Sequence, residues 1–336
     1  MKKRIKIVFI TLTMIVALIS YELSYPEIES ASEMIECAAT QGYIRWIDFT
    51  PTAEALRHAA IIDAETYGSS HHIRMYELLA IYSANNGGSY KNYKRSSLEA
   101  IRKKYESGGS FSEMVSDEKL LEYYLEAYEA VLGSFVGEYS VLDVRGRLIG
   151  EKKYGVRVFS PIANGFYYNH YDDFGASRSF GYKRVHLGHD LLGSTGTPVI
   201  AVESGYVEAC GWNAYGGWRI GIRSFDGKRY YYYAHLRKGH PYNDIYEGKI
   251  VNAGEVIGYL GMTGYSTKED TNNIDTPHLH FGMQIIFDPS QKDGNNQIWI
   301  DMYAITSFLS QHSSKVVRSE KEYYAQNTCF YPTTPD

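Results

Sequence analysis

A chain of 336 residues with 44% hydrophobic and 22% charged residues has the balance of a folded globular protein with room for two domains, so a disordered chain is excluded. A formal net charge of -5 leaves no basic excess to replace the counterions around phosphates, so no nucleic-acid partner is expected. The same acidity disfavours simple attraction to an anionic wall or membrane.

The first segment, residues 1–22, reads MKKRIK followed by the apolar run IVFITLTMIVALIS. A basic head before such a run marks a targeting element, either an uncleaved signal anchor or a cleaved signal peptide. A buried helix fits less well, because the basic residues directly precede the run. No clear small-x-small site follows Ser20, which favours the anchor. Positive residues stay inside, so the bulk of the chain is expected to be extracellular, held at the membrane or secreted. Cys37, Cys210 and Cys329 are too few for a disulfide framework, and whether two of them form a bridge is not deducible.

Residues 40–140 read as a helical domain of unassigned role. Ala55, Ala59 and Ile62 recur at helical spacing, as do Leu120, Leu121, Tyr124, Leu125, Tyr128, Val131 and Leu132. Asp48 to Pro51 and Ser116-Asp117 are candidate N-terminal caps, and Gly87-Gly88 and Gly108-Gly109 are breaks. Glu65, Glu77 and the His71-His72 pair have no spacing that specifies a chemistry, and solvated helix faces account for them.

Beyond Ser140 the texture changes to short β-branched or aromatic runs separated by glycine, as in 197–207, 219–223 and 229–234. Asp226-Gly227 inside Phe225 to Lys228 signals a tight hairpin turn. The fold class is therefore α+β, with a helical domain followed by an all-β domain over 155–310 and a tail over 311–336. A partly helical pattern returns around Tyr303 to Leu309. The Tyr230 to Tyr233 run alternates faces, one half for the core and the other for packing or a groove wall. Gly211 to Trp218, glycine-rich and aromatic, reads as a hairpin connection or a groove-bordering loop.

Of eleven histidines, eight lie in this β half. His186 and Asp190 are four apart around Gly188, which is expected to turn the chain so both reach one metal ion. His278 and His280 are two apart in a strand-like run, so both face one side while Leu279 faces the other. His235 ends an aromatic strand. His189 is a neighbour rather than a ligand, and His170, His240 and His312 have no pattern.

In order and spacing, His-x-x-x-Asp, a single His and His-x-His resemble the lysostaphin-type, or LytM-like, zinc endopeptidases. The likeness runs over roughly residues 160 to 290, with the DDFGASR stretch (Asp172 to Arg178) and the GTPVIAVESGYV and GYLGMTGYS runs. It implies a small antiparallel β domain with a zinc groove, His186, Asp190 and His280 as Zn2+ ligands, and a fourth position left for water or substrate. It also implies His235 and His278 as catalytic residues beside the bound water, and Tyr182 as a candidate oxyanion donor. The expected activity is hydrolysis of peptidoglycan peptides. A catalytically inactive LytM-like scaffold regulating cell-wall enzymes is the alternative, and the complete ligand set speaks against it.

Overall fold

The computed structural model describes residues 43–331 apart from Gly181 and Asn295, and leaves out the side chains of 179–182. The proposed anchor at 1–22 and Cys37 lie outside these residues. Within them, no helix is long and apolar enough to cross a membrane.

Helix α1 (Ala53–Thr66) starts where the Thr52 hydroxyl accepts the Ala55 N–H at 3.2 Å. Helix α2 (Met75–Asn86) ends at Gly87, whose φ of 54° needs no Cβ to be accommodated. Helix α3 (Arg95–Glu106) buries only Leu98. Helix α4 (Glu118–Leu132) is capped by Asp117, which accepts the Leu120 N–H. The periodic segments thus form α1 and α4. Helix α2 showed no stripe because it is surrounded, its stretch from Leu78 to Ala84 being buried throughout.

The polar helical residues are structural. Glu65 pairs with Arg102 at 2.7 Å, and Glu77 accepts the Arg74 N–H at the start of α2. His72 meets the buried Asp63 at 2.8 Å, and Tyr154 donates to the same carboxylate. His71 lies beside Ser70.

The strands follow in chain order: β1 (Val136–Asp143), β2 (Leu148–Val156), β3 (Tyr168–His170), β4 (Ser177–Phe180), β5 (Tyr182–Val185), β6 (His189–Gly193) and β7 (Pro198–Ile200). Then come β8 (Gly205–Asn213), β9 (Gly217–Ser224), β10 (Arg229–Ala234), β11 (Ile250–Val251), β12 (Val256–Tyr259), β13 (His278–Ile285) and β14 (Ile298–Ile300). Helix α5 (Tyr303–Leu309) precedes β15 (Val316–Ser319), β16 (Glu322–Ala325) and β17 (Asn327–Phe330).

The main sheet has the order β11-β8-β9-β10-β13-β6-β3, every pairing antiparallel, with β14 also on β13. The end of the chain joins the hairpin after the helices, in the order β17-β1-β2. Strands β9 and β10 are joined across Asp226-Gly227, with Gly227 at φ 74°. On β10, Tyr231 and Tyr233 are fully buried and stack near Phe281, while Tyr232 faces Trp299 and His280. One continuous apolar core reaches from Ile44 through the helices and sheet to Leu309. Cys210 and Cys329 are free thiols.

Helix α4 is tied to the sheet by a buried charge network. Arg229, fully buried on β10, donates from Nε and Nη2 to Glu203 at 2.8 and 3.2 Å, from Nη2 to Asp226 at 2.5 Å, and from Nη1 to the Ala130 carbonyl at 2.6 Å. Tyr231 and Ser134 donate to the same Glu203 carboxylate.

Candidate metal centre

The register of three neighbouring strands assembles the centre. Asp190 on β6 lies directly opposite His280 on β13, and Ala234 on β10 lies opposite the same histidine from the other side. His235 therefore emerges at the end of β10 beside β13. Directly opposed residues in an antiparallel pair hold their side chains close, so one strand alignment gathers ligands far apart in sequence. His186 comes in from the segment between β5 and β6.

His186 Nε2 is 2.9 Å from His280 Nδ1 and 3.1 Å from Asp190 Oδ1, and His280 Nδ1 is 3.0 Å from the same oxygen. Two imidazoles and a carboxylate thus aim lone pairs at one spot, which a cation or a shared proton must satisfy. Zinc bonded at about 2.0–2.1 Å would set tetrahedral ligands roughly 3.3 Å apart, close to these separations, and two nitrogens with one oxygen suit it. These three residues are the donors whose ligand atoms cluster in this way among the described residues.

Gly188 lies at a bend of the chain ahead of β6, as expected, and contributes as well by having no side chain. Its φ lies outside the left-handed region, and a Cβ there would fall 2.4 Å from His280 Cε1. The glycine inside the first motif is the floor on which the ring of the last motif rests.

Burial works against the charge on Asp190, yet the hydrogen bonds from His186 and His280 outweigh it and hold the carboxyl well below its usual range. Burial also opposes protonation of His186, and the bond and charge of Asp190 reverse that and raise it. For His280, burial dominates and pushes the imidazole down.

His235 and His278 share one orientation logic. The Nδ1 of His235 donates to the Thr263 carbonyl and that of His278 to the Thr276 carbonyl, each at 2.8 Å, so both rings keep Nε2 unprotonated when neutral. Their rings are 4.8 Å apart, and His278 Nε2 is 3.7 Å from Asp190 Oδ1. Burial, with the facing His278 and His280, drives His235 well below the ordinary imidazole range. His235 sits at φ 61°, unusual for a residue with a Cβ, and its N–H is held by the Gly216 carbonyl at 2.7 Å. The hairpin tip between β8 and β9 is therefore both a plain connection and a border of the site.

His189 points to the opposite face of β6. It is fully buried, its Nε2 is 2.7 Å from His170 Nδ1, and burial brings it down to about 3. His240 pairs with Glu322, and His312 packs on Phe308. The Tyr182 side chain lies outside the described residues.

Two residues of the DDFGASR stretch that carried no assigned role support the centre. His186 Nδ1 is 3.1 Å from the Asp173 carbonyl and 3.2 Å from its Oδ2, which fixes the ring with Nε2 inward. Arg178 Nη2 bridges Asp173 at 2.5 Å and Asp190 at 3.5 Å. Such outer carboxylates orient a ligating histidine and raise its basicity. Replacing Asp173 by asparagine keeps the shape and removes the charge, and is expected to weaken metal affinity about 10- to 100-fold, measured by competition with a chromogenic chelator.

Three converging donors flanked by two backbone-pinned imidazoles are the layout of a hydrolytic metal site, since structural zinc sites close with four ligands and favour cysteine. Residues 184–297 match the profile of Peptidase family M23. The L-Ala–D-Glu endopeptidase of Bacillus subtilis (strain 168) is 42% identical over 119 residues, 34% of this chain and 34% of its own length. Glycyl-glycine endopeptidase ALE-1 of Staphylococcus capitis is 41% identical over 97 residues, 29% of this chain and 24% of its own. The chain thus spans about a third or less of the length of these curated relatives. A crystal structure from Ruminococcus gnavus described as a candidate glycyl-glycine endopeptidase, LytM, superposes with a TM-score of 0.54 at 21% identity, covering 81% of this chain and 94% of that one, a likeness of fold.

Proposed function

We propose that the chain is a zinc-dependent endopeptidase that hydrolyses peptide bonds of bacterial peptidoglycan. The observation that carries this reading is the convergence of His186 Nε2, Asp190 Oδ1 and His280 Nδ1 to within 2.9–3.1 Å, beside His235 and His278. In this reading His186, Asp190 and His280 hold the metal. Zinc, when bound, would lower the pKa of a coordinated water to about 7 and polarise the scissile carbonyl. His235 and His278 each turn Nε2 away from a backbone carbonyl, where it can take up the proton released in the attack or, once protonated, donate to the developing oxyanion or leaving amine. Their Nδ1 bonds to Thr263 and Thr276 hold the rings in place meanwhile. The relatives' names supply two candidate bonds, L-Ala–D-Glu and Gly–Gly.

We further assign catalysis to residues 155–310 and export to the basic-apolar segment at 1–22, which would keep the bulk of the chain extracellular at the membrane. The test is digestion of purified peptidoglycan of several chemotypes by the full chain, with released fragments identified by mass spectrometry. Fragments carrying new peptide amino termini are expected, lost on chelation and restored by zinc. Cleavage indifferent to chelation would sink the proposal. Zinc bound at full occupancy with no cleavage of any chemotype would favour the inactive scaffold.

A further inference from the structure

We infer that Arg184 is a carboxylate receptor beside the metal centre, so that the peptide cut carries a free carboxylate next to the scissile amide. The inference rests on the peptidase reading and narrows its substrate class. Arg184 lies on β5, two residues before the ligand His186. Its guanidinium is held against the rings of Tyr215 and Tyr265, at 5.6 and 5.0 Å from their centroids, and Nη2 donates to the Tyr265 hydroxyl. The Tyr265 ring is 5.7 Å from that of His235, and a Cβ on Gly264 would sit 2.5 Å from the Tyr215 carbonyl and 3.0 Å from His235 Nδ1. The arginine is thus built into the wall that carries His235.

Beside the candidate metal centre, this arginine lacks the counter-charge that its hairpin partner has. Arg178, directly opposite it in the β4–β5 hairpin, is neutralised by Asp173, and the fully buried Arg229 by Glu203 and Asp226. Arg184 has no carboxylate within ion-pair distance among the described residues, and its half-buried side chain leaves Nε without a hydrogen-bond partner. Guanidinium donors are matched by carboxylates, singly or in a fork, and a cation braced between aromatic rings loses little freedom on meeting one. Of the two bonds that the relatives' names offer, L-Ala–D-Glu places a residue with a second carboxyl directly after the cut. A glycine bridge has no such group.

The experiment compares kcat/KM of the zinc-loaded full chain on a synthetic stem peptide containing L-Ala–D-Glu, on its carboxamide counterpart and on pentaglycine. The carboxylate peptide is expected to be favoured about 10- to 100-fold over the carboxamide, the range for a charge-assisted hydrogen bond. Arg184→Met should erase that preference by slowing only the carboxylate peptide, and Arg184→Lys should retain part of it. Zinc content and melting temperature establish that the variants are folded. Equal rates of wild-type protein on carboxylate and carboxamide, or an equal loss on both in Arg184→Met, would overturn the inference and leave the peptidase reading standing. Absence of any metal-dependent cleavage would overturn both.

Discussion

Replacing His235 by alanine is expected to lower kcat about 10²- to 10⁴-fold while leaving zinc content unchanged, the range for loss of a positioned general acid or base. Replacing His280 by alanine should instead remove both zinc and activity. The two differ because His280 Nδ1 lies within 3.0 Å of the other two donor atoms, whereas His235 meets the ligand set through ring contacts, at 5.9 Å from the His280 ring. His278→Ala belongs with His235→Ala, since its Nε2 stands 3.7 Å from Asp190 Oδ1, outside the 2.9–3.1 Å cluster of the three donors. Metal analysis of the purified variants, alongside rates on a soluble cross-linked peptide, separates the two groups. A His235→Ala protein that lost zinc in proportion to activity would show that His235 holds the centre rather than moving protons, and the assigned roles would fall. Retention of wild-type rates by both His235→Ala and His278→Ala would remove the proton-transfer step from the mechanism.

Much of the site was legible in the sequence because its register is. His278 and His280 are two apart on a strand, and the period of two puts both on the face opposite the buried Leu279. The same alternation separates His189 from Asp190, so one histidine of the first motif turns into the core. The bend at Gly188 was legible, and its second role, room for a ring, was not, for a physical reason. A glycine signals either unusual φ or close approach, and only the spatial neighbour, His280 from ninety-two residues further on, decides between them. Asp173 and Arg178 were not recognised as supports because an Asp and an Arg five apart are common, and their meaning depends on the turn that delivers them to His186. Arg184 has no sequence signal at all, since a missing counter-charge is visible only in three dimensions. In the helical half, amphipathic α1 and α4 had readable stripes, while α2 is covered on every side and α3 fully buries only Leu98, with Ile101 and Tyr105 packed at the core's edge. The three-stranded β17-β1-β2 sheet joins segments nearly two hundred residues apart, and no local pattern announces such a pairing.

The largest effect on stability is expected from Arg229→Met, at about 3–5 kcal/mol, because it leaves the buried Glu203 carboxylate without its partner. The loss should appear as a fall of roughly 10 °C in melting temperature for a chain of this size. The arginine also holds the Ala130 carbonyl of α4, so unfolding of the helices and of the sheet is expected to separate further in the variant than in the wild type. A double variant, Arg229→Met with Glu203→Gln, should recover part of the loss, since the penalty comes from the orphaned charge more than from the net worth of the pair. Acidity gives an independent check. Burial opposes ionisation of Asp226, but the charge of Arg229 and the hydrogen bonds from Ser224 and Lys228 prevail and lower its pKa. In the unfolded chain that carboxyl takes up its proton near its ordinary pKa of about 3.9, so between there and the lower folded value the unfolded state binds more protons. Wild-type stability should therefore fall as the pH drops through that window, and the slope should flatten in Arg229→Met, where Asp226 has lost the charge that depressed it. Melting curves from pH ~5 down to pH ~3 measure both effects. A variant that melts within about 2 °C of wild type and keeps the wild-type acid slope would show that the network contributes little to joining α4 to the sheet.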